Sequence, residues 1–339
     1  MMTAPRLRPQ RLRPGDTIGV VSPASPLAAL RPRRFSRGLA GLESLGFRIR
    51  VGEHARASGP HTAGTPEQRA EDLNQMLRAS EVRAVISAIG GLNSNHVLEM
   101  VDLDALRADP KIVIGYSDIT TLLIGLHART GLVTFLGPAV LPQFGEAVLH
   151  PYTRHWFLRL LCDAEPVGAL APSYLCISER LRWDEADDRP RRADPHRGPR
   201  VLTTGQASGL ILAGNLGTLL TLAGTPWFPD LDGVLLCIED DEEETPATID
   251  RYLTQLRLMG AFERIAGLVV GRFPPEVGFG EGDPLDAVIE TATRGFDLPI
   301  AVDLDFGHTD PMFVLPNGVN ATLSCGDQPE LRLNEGAVT

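Results

Sequence analysis

Lysine is almost missing from this chain: Lys111 stands alone among 339 residues, against 31 arginines. Schiff-base and Ser-Lys mechanisms need a lysine amine whose pKa can be depressed, so that chemistry has a single candidate. Lys111 opens the apolar run Ile112-Val113-Ile114, which reads as a buried strand, and so it sits at the wrong sheet edge to meet Ser117. A Ser-Lys dyad is not expected. Cysteine is scarce too. Cys162, Cys176, Cys237 and Cys325 form no CxxC pair and no zinc spacing, so reduced, buried thiols are expected. No apolar run approaches the ~20 residues of a membrane span. The arginine-bearing start, Met1 to Pro14, is followed by no apolar core, so no secretory signal is read there and a cytoplasmic location is expected. A net charge of −11 argues against a general nucleic-acid binder. The clusters Arg31–Arg37 and Arg189–Arg200 read as solvated faces or loops, with a lesser claim to an anionic ligand. There is no G-x-x-x-x-G-K-[ST], no G-x-G-x-x-G and no H-E-x-x-H, which argues against a P-loop, a dinucleotide fold and this form of metal catalysis.

What is present is an alternation of strands and helices. Thr17 to Val21, Phe47 to Val51, Val82 to Ala88, Lys111 to Ile114 and Val133 to Leu136 read as strands. Helices are expected from Pro32 to Leu45, from a capping box at Thr65-Pro66-Glu67-Gln68 to Ala79, and from Asp118 to Thr130. That alternation predicts an α/β fold: an amino-terminal, doubly wound, mostly parallel sheet domain, with ligands beyond the carboxyl ends of its strands. Past Pro138 the pattern loosens. Tyr152 to Leu161 reads as a helix. Glu179 to Pro199 is charged, Pro-containing and aperiodic, and reads as a long surface loop of the kind that binds or covers a ligand. Regular structure is expected to resume at Gly209–Asn215, with strands at Val234–Ile238 and Leu268–Val270 and a helix from Thr245 to Met259. The expected division is 1–150, an α/β domain; 151–205, a connecting helix and loop; and 206–339, a mixed, partly β domain.

The chemistry-bearing residues fall at strand ends. Ser117, in Gly115-Tyr116-Ser117-Asp118, follows a strand and opens a helix, where free N–H groups can stabilise an oxyanion. The run is not G-x-S-x-G, because Ile119 stands at the second glycine position. As a plain alternative, Ser117-Asp118 is a helix cap. Gly90-Gly91 closes a strand and can aim amides at a carboxylate, a phosphate or an oxyanion, or can be a simple tight turn. Glu239 follows five apolar residues and begins the acidic run Glu239 to Glu244, most of which a helix amino terminus would explain. His308 lies in a Gly-containing turn after Asp303-Leu304-Asp305. A serine nucleophile needs a base that titrates near neutrality and an acid to orient it. Ser117, His308 and Glu239 could supply those roles; the alternative is a non-catalytic ligand-binding protein in which Ser117 caps a helix and Glu239 lies on a solvated face.

These runs, in this order, resemble the LD-carboxypeptidase family, which includes the microcin C self-immunity proteins. The likeness extends from Pro14-Gly15-Asp16-Thr17-Ile18-Gly19-Val20-Val21-Ser22-Pro23 to Gly307-His308. It implies a serine peptidase with Ser117 as nucleophile, His308 as base and Glu239 as the acid that orients it. The amides of Asp118 and of Gly90-Gly91 would form the oxyanion hole. It also implies a cytoplasmic homodimer that needs no metal or organic cofactor. Its substrate would be a small peptide, such as a cell-wall tetrapeptide ending in D-alanine, or a peptidyl-nucleotide. Gly90-Gly91-Leu92-Asn93-Ser94-Asn95 looks closer to the immunity-type branch, which makes Asn93 a candidate substrate contact. Trp183 resembles a loop tryptophan that stacks on the nucleotide base in that branch. A packed tryptophan under a cation–π contact from Arg182 is the alternative. Asn215 resembles a family site residue, and equally a cap for the helix after it.

Overall fold

Two large sheets carry the molecule, and Ser117, Asn215, Glu239 and His308 all lie at or just beyond strand ends. The computed structural model describes residues 6–282 and 284–339. In chain order its strands are β1 (Thr17–Val21), β2 (Arg48–Val51), β3 (Val82–Ser87), β4 (Ile112–Gly115), β5 (Thr134–Leu136), β6 (Gly168–Ala169), β7 (Leu175–Cys176) and β8 (Asp194–Pro195). They continue as β9 (Arg200–Thr203), β10 (Gly205–Asn215), β11 (Leu235–Glu239), β12 (Gly267–Gly271), β13 (Ile300–Leu304), β14 (Leu315–Asn317), β15 (Asn320–Cys325) and β16 (Pro329–Leu333). The helices are α1 (Leu27–Leu30), α2 (Pro32–Ser44), α3 (Pro66–Arg78), α4 (Leu103–Ala108) and α5 (Thr120–Thr130). After them come α6 (Pro151–Leu161), α7 (Leu216–Leu220), α8 (Pro246–Leu258) and α9 (Leu285–Thr293). Among the described residues no helix is long and apolar enough to cross a membrane.

The first sheet runs β14-β5-β4-β3-β1-β2. Its five amino-terminal strands are parallel, and β14 closes one edge antiparallel. Strands covered by helices on both faces must be apolar throughout, and β1, β4 and β5 are buried at every residue. The capping box forms as its sequence predicts: Thr65 accepts from Gln68 N–H while the Gln68 side chain accepts from Thr65 N–H.

The second sheet is mixed, in the order β6-β16-β15-β10-β11-β12-β13-β9. Strand β10 joins its two halves. Gly205–Leu210 pair antiparallel with β15, and Ile211–Asn215 pair parallel with β11. The chain then crosses back, because β14 belongs to the first sheet while its neighbours in sequence belong to the second. Asn317 fastens this crossing, its Oδ1 accepting from Ala213 N–H at 2.6 Å and its Nδ2 donating to Thr134 Oγ1 at 3.2 Å. Thr120, in the first turn of α5, accepts from Asn215 N–H at 2.9 Å. The helix that follows Ser117 is thereby locked to the end of β10, the strand beside Glu239.

Candidate active site

Ser117 stands two residues past the end of β4 with φ +62°, a left-handed backbone that a serine adopts only under strain. The helix does not begin smoothly after it: Ser117–Ile119 form one 3-10 turn before α5. No side chain caps either helical start, so Ser117 is not the cap that its position allows. The Asp118 carboxylate is turned away from solvent and accepts from Ser94 N–H at 2.8 Å.

Gly90, three residues past the end of neighbouring strand β3, packs directly against that elbow. A Cβ on residue 90 would lie 2.8 Å from Ser117 Cβ and 2.9 Å from its Oγ. The amides of Gly90 and Gly91 donate to no other group among the described residues, which leaves them free to meet an anion. Gly90→Ala should therefore keep the fold, since only local atoms collide, and should lower kcat by roughly 10²-fold through displacement of Ser117. Steady-state kinetics alongside thermal unfolding checks this; wild-type kcat in a folded variant would refute it.

Glu239 is the last residue of β11 and is fully buried. It does not belong to a solvated acidic face. Its Oε2 lies 2.6 Å from His308 Nδ1. His308 is carried by the turn after β13, and Gly307 lets that turn close. Gly307 has φ +99°, and a Cβ there would fall 2.5 Å from Glu239 Oε2. The Tyr116 ring packs on His308 with centroids 5.0 Å apart. Burial opposes charge on the imidazole, but the Glu239 carboxylate and its hydrogen bond, aided by Asp241 and Glu242, raise its pKa to about 9.

Ser117, His308, Gly90, Gly91, Asn93 and Trp183 all line one cleft of about 770 Å³. Asn215 is absent from that lining. Its Oδ1 caps α7 by accepting from Thr218 N–H, and its Nδ2 donates to Asp240 Oδ1 at 2.7 Å. Burial and then the adjacent Glu239 charge push the Asp240 carboxyl up to about 7, against N–H donors from Asn215, Gly217 and Asp241. Lys111 is buried at the opposite end of β4, paired with Asp109 and donating to Ala79 O at 3.1 Å. Among the described residues no group of three His, Cys, Asp or Glu is arranged to hold a metal ion.

Two features of the cleft depart from expectation. The cation over Trp183 is Arg34, with its guanidinium 4.3 Å from the ring centroid. Arg182 points outward to Glu185 instead. The reason is local: the Asp184 carboxylate accepts from the N–H groups of Arg33 and Arg34 at the start of α2, which draws the tryptophan across that helix. The basic clusters also supply cleft residues, the buried Arg34 and the half-buried Arg191, rather than only solvated faces. Spacing held the signal for one of them. Arg34, Gly38 and Leu42 recur every four residues on the buried face of α2.

Residues 18–137 match the model of the LD-carboxypeptidase N-terminal domain and residues 208–323 that of the C-terminal domain. The chain belongs to the LD-carboxypeptidase family. The chain is 33% identical to the microcin C7 self-immunity protein of Escherichia coli, over 91% of its own length and 90% of that protein's. It is 32% identical to a probable murein peptide carboxypeptidase of Bacillus subtilis, over 98% and 97% of the two chains. A solved structure of the microcin C7 self-immunity protein in complex with aspartyl sulfamoyl adenosine superposes with a TM-score of 0.90 at 30% identity, covering 98% of this chain and 100% of that one. These matches fix the fold of the chain and its peptidase family.

Proposed function

We propose that the protein is a serine carboxypeptidase that hydrolyses a carboxyl-terminal amide through Ser117, His308 and Glu239. The observation that carries this is the 2.6 Å contact between His308 Nδ1 and the buried Glu239 Oε2, in the same cleft as a strained Ser117. Glu239 fixes the imidazole with Nε2 directed away from the carboxylate. Ser117 Oγ adds to the amide carbon as its proton passes to His308, and the carbonyl oxygen becomes an anion. The amides of Gly90, Gly91 and Asp118 receive that charge. His308 then returns the proton to the leaving nitrogen, and water repeats the sequence on the acyl-enzyme.

We further propose an aminoacyl- or peptidyl-nucleotide amide as the substrate. Trp183 supports this reading: it offers an aromatic face in the cleft, backed by the Arg34 cation. The structural relative is solved with aspartyl sulfamoyl adenosine, an aspartyl group joined through a sulfamoyl nitrogen to a nucleoside, which is an analogue of that class. Release of D-alanine from a murein tetrapeptide is the second reading, favoured by the near-complete overlap with the murein peptide relative. Mass spectrometry with both substrates in parallel, and Ser117→Ala as control, separates them. Cleavage of the nucleotide amide alone is expected; D-alanine release alone would replace it with the murein reading, and turnover of neither would reject both.

Trp183→Ala gives a finer test. A stacked base contributes ~1–3 kcal/mol, so KM for a nucleotide amide should rise roughly 5- to 150-fold while KM for a tetrapeptide stays constant. Equal effects on both substrates would mean that Trp183 only packs.

A further inference from the structure

The loop bearing Trp183 is tied to the body of the protein by a set of partly buried ion pairs. Arg34, 1% exposed, pairs with Glu146 and, at 2.8 Å, with Asp187 of the loop. Glu146 in turn receives Arg191 of the same loop, Nε to Oε1 at 3.2 Å. The other end of Arg191 pairs with Asp310, two residues beyond His308. Asp310 is itself well held. Its Oδ1 accepts from Gln143 Nε2 at 3.2 Å, its backbone carbonyl accepts from Ile177 N–H at 2.7 Å, and Gln143 also reaches the Tyr116 hydroxyl at 3.3 Å. Tyr116 is the residue packed on the His308 ring. A continuous set of contacts therefore leads from Trp183 through Arg34, Glu146, Arg191 and Asp310 to the His308 turn.

We propose that Arg191 is a positioning residue for His308, coupling the seating of the Trp183 loop to the orientation of the imidazole. The inference rests on the serine-peptidase reading above for its catalytic consequence. The physical reason is charge balance. Glu146 and Asp310 face one guanidinium from two sides, and removing it leaves two poorly solvated carboxylates that repel each other. Glu146 keeps Arg34 as a second partner, whereas among the described residues Asp310 has Arg191 as its only ion-pair partner. The strain of a lost Arg191 therefore falls on the turn that carries His308. Arg191 lines the cleft, but this effect needs no contact between it and substrate.

The test compares wild type, Arg191→Gln and Arg191→Lys in the full chain by two readouts. The first is the split between kcat and KM on whichever substrate wild type cleaves in a Ser117-dependent way. The second is the His308 ring-proton signal by NMR with labelled histidine, assigned by its loss in His308→Ala. Expected are a kcat lower by roughly 10- to 100-fold with KM nearly unchanged, a displaced His308 signal in Arg191→Gln, and partial recovery of both in Arg191→Lys. In a cycle with Trp183→Ala, the effects on kcat should fall short of additivity. A folded Arg191→Gln with wild-type kcat and an unmoved His308 signal would overturn the proposal, leaving Arg191 as a loop fastening only. If Arg191→Gln does not fold, Arg191→Lys decides by the same criteria. If wild type cleaves nothing, the serine-peptidase reading fails separately, and an unmoved His308 signal still overturns this one.

Discussion

Ser117→Ala is expected to reduce kcat by roughly 10⁴- to 10⁶-fold with little change in stability, since removal of a serine nucleophile leaves only binding and the oxyanion donors. The small effect on folding follows from its surroundings. Ser117 is half-buried, caps no helix and makes no hydrogen bond that the fold depends on. Its left-handed φ of +62° makes a sharper form of the prediction possible. For a residue with a Cβ that conformation costs about 1–2 kcal/mol, which glycine would not incur, although glycine loses ~0.5–1 kcal/mol through its freer unfolded chain. Ser117→Gly should thus unfold at or above the wild-type temperature while being as inactive as Ser117→Ala. A hydrolase site that holds its nucleophile under strain gives this pattern; a cap or packing residue gives the reverse, with stability lost and activity kept. More than a few per cent of residual activity in Ser117→Ala would remove it as nucleophile.

How far the sequence discloses the site depends on the range of each contact. Ser117, Gly90 and Glu239 are legible because each follows a short apolar run; the parallel first sheet gathers the ends before Ser117 and Gly90 on one edge, while Glu239 ends a like run in the second sheet. The capping box at Thr65 and the helix after Ser117 are local in the same sense. The carboxyl-terminal half reads poorly for the opposite reason. Strand β10 changes from antiparallel to parallel pairing midway, and β14 leaves its sequence neighbours to join the first sheet. Neither event leaves a mark in local periodicity. Arg34 and Arg191 show the limit most clearly. Both sit in arginine-rich stretches that suggest solvent, and what draws them inward is carboxylates far away in the chain: Glu146 and Asp187 for Arg34, Glu146 and Asp310 for Arg191. The sequence spacing of Arg34 on α2 carried a signal, but Arg191 lies in a loop with no period to read.

The pH dependence should likewise be unusual, and its sign follows from the geometry. Acting as base, His308 must be neutral to take the Ser117 proton. An ordinary histidine would be half neutral at ~6.5. Here burial disfavours the charge, but Glu239 at 2.6 Å outweighs burial and carries the pKa up to about 9. At pH 7 only roughly one molecule in a hundred then holds the free base. The logarithm of kcat/KM should therefore climb with unit slope from pH 6 to pH 8 and level off near 9. Glu239→Gln removes the charge that dominates this rise while keeping a similar shape. Its inflection should fall to ~6.5 or below, and its limiting rate should drop by about 10⁴-fold, because the imidazolium that forms during reaction loses its partner. Stability should move in the opposite direction to activity. A group whose folded pKa exceeds its unfolded value stabilises most when it is protonated in both states. The contribution of the His308–Glu239 pair is thus complete below ~6.5 and is lost as pH rises through about 9. Unfolding of the inactive Ser117→Ala form across that range would reveal the loss without interference from turnover. An activity profile flat between pH 6 and pH 9, or an inflection that Glu239→Gln leaves in place, would mean that His308 is not the base or that Glu239 does not govern it.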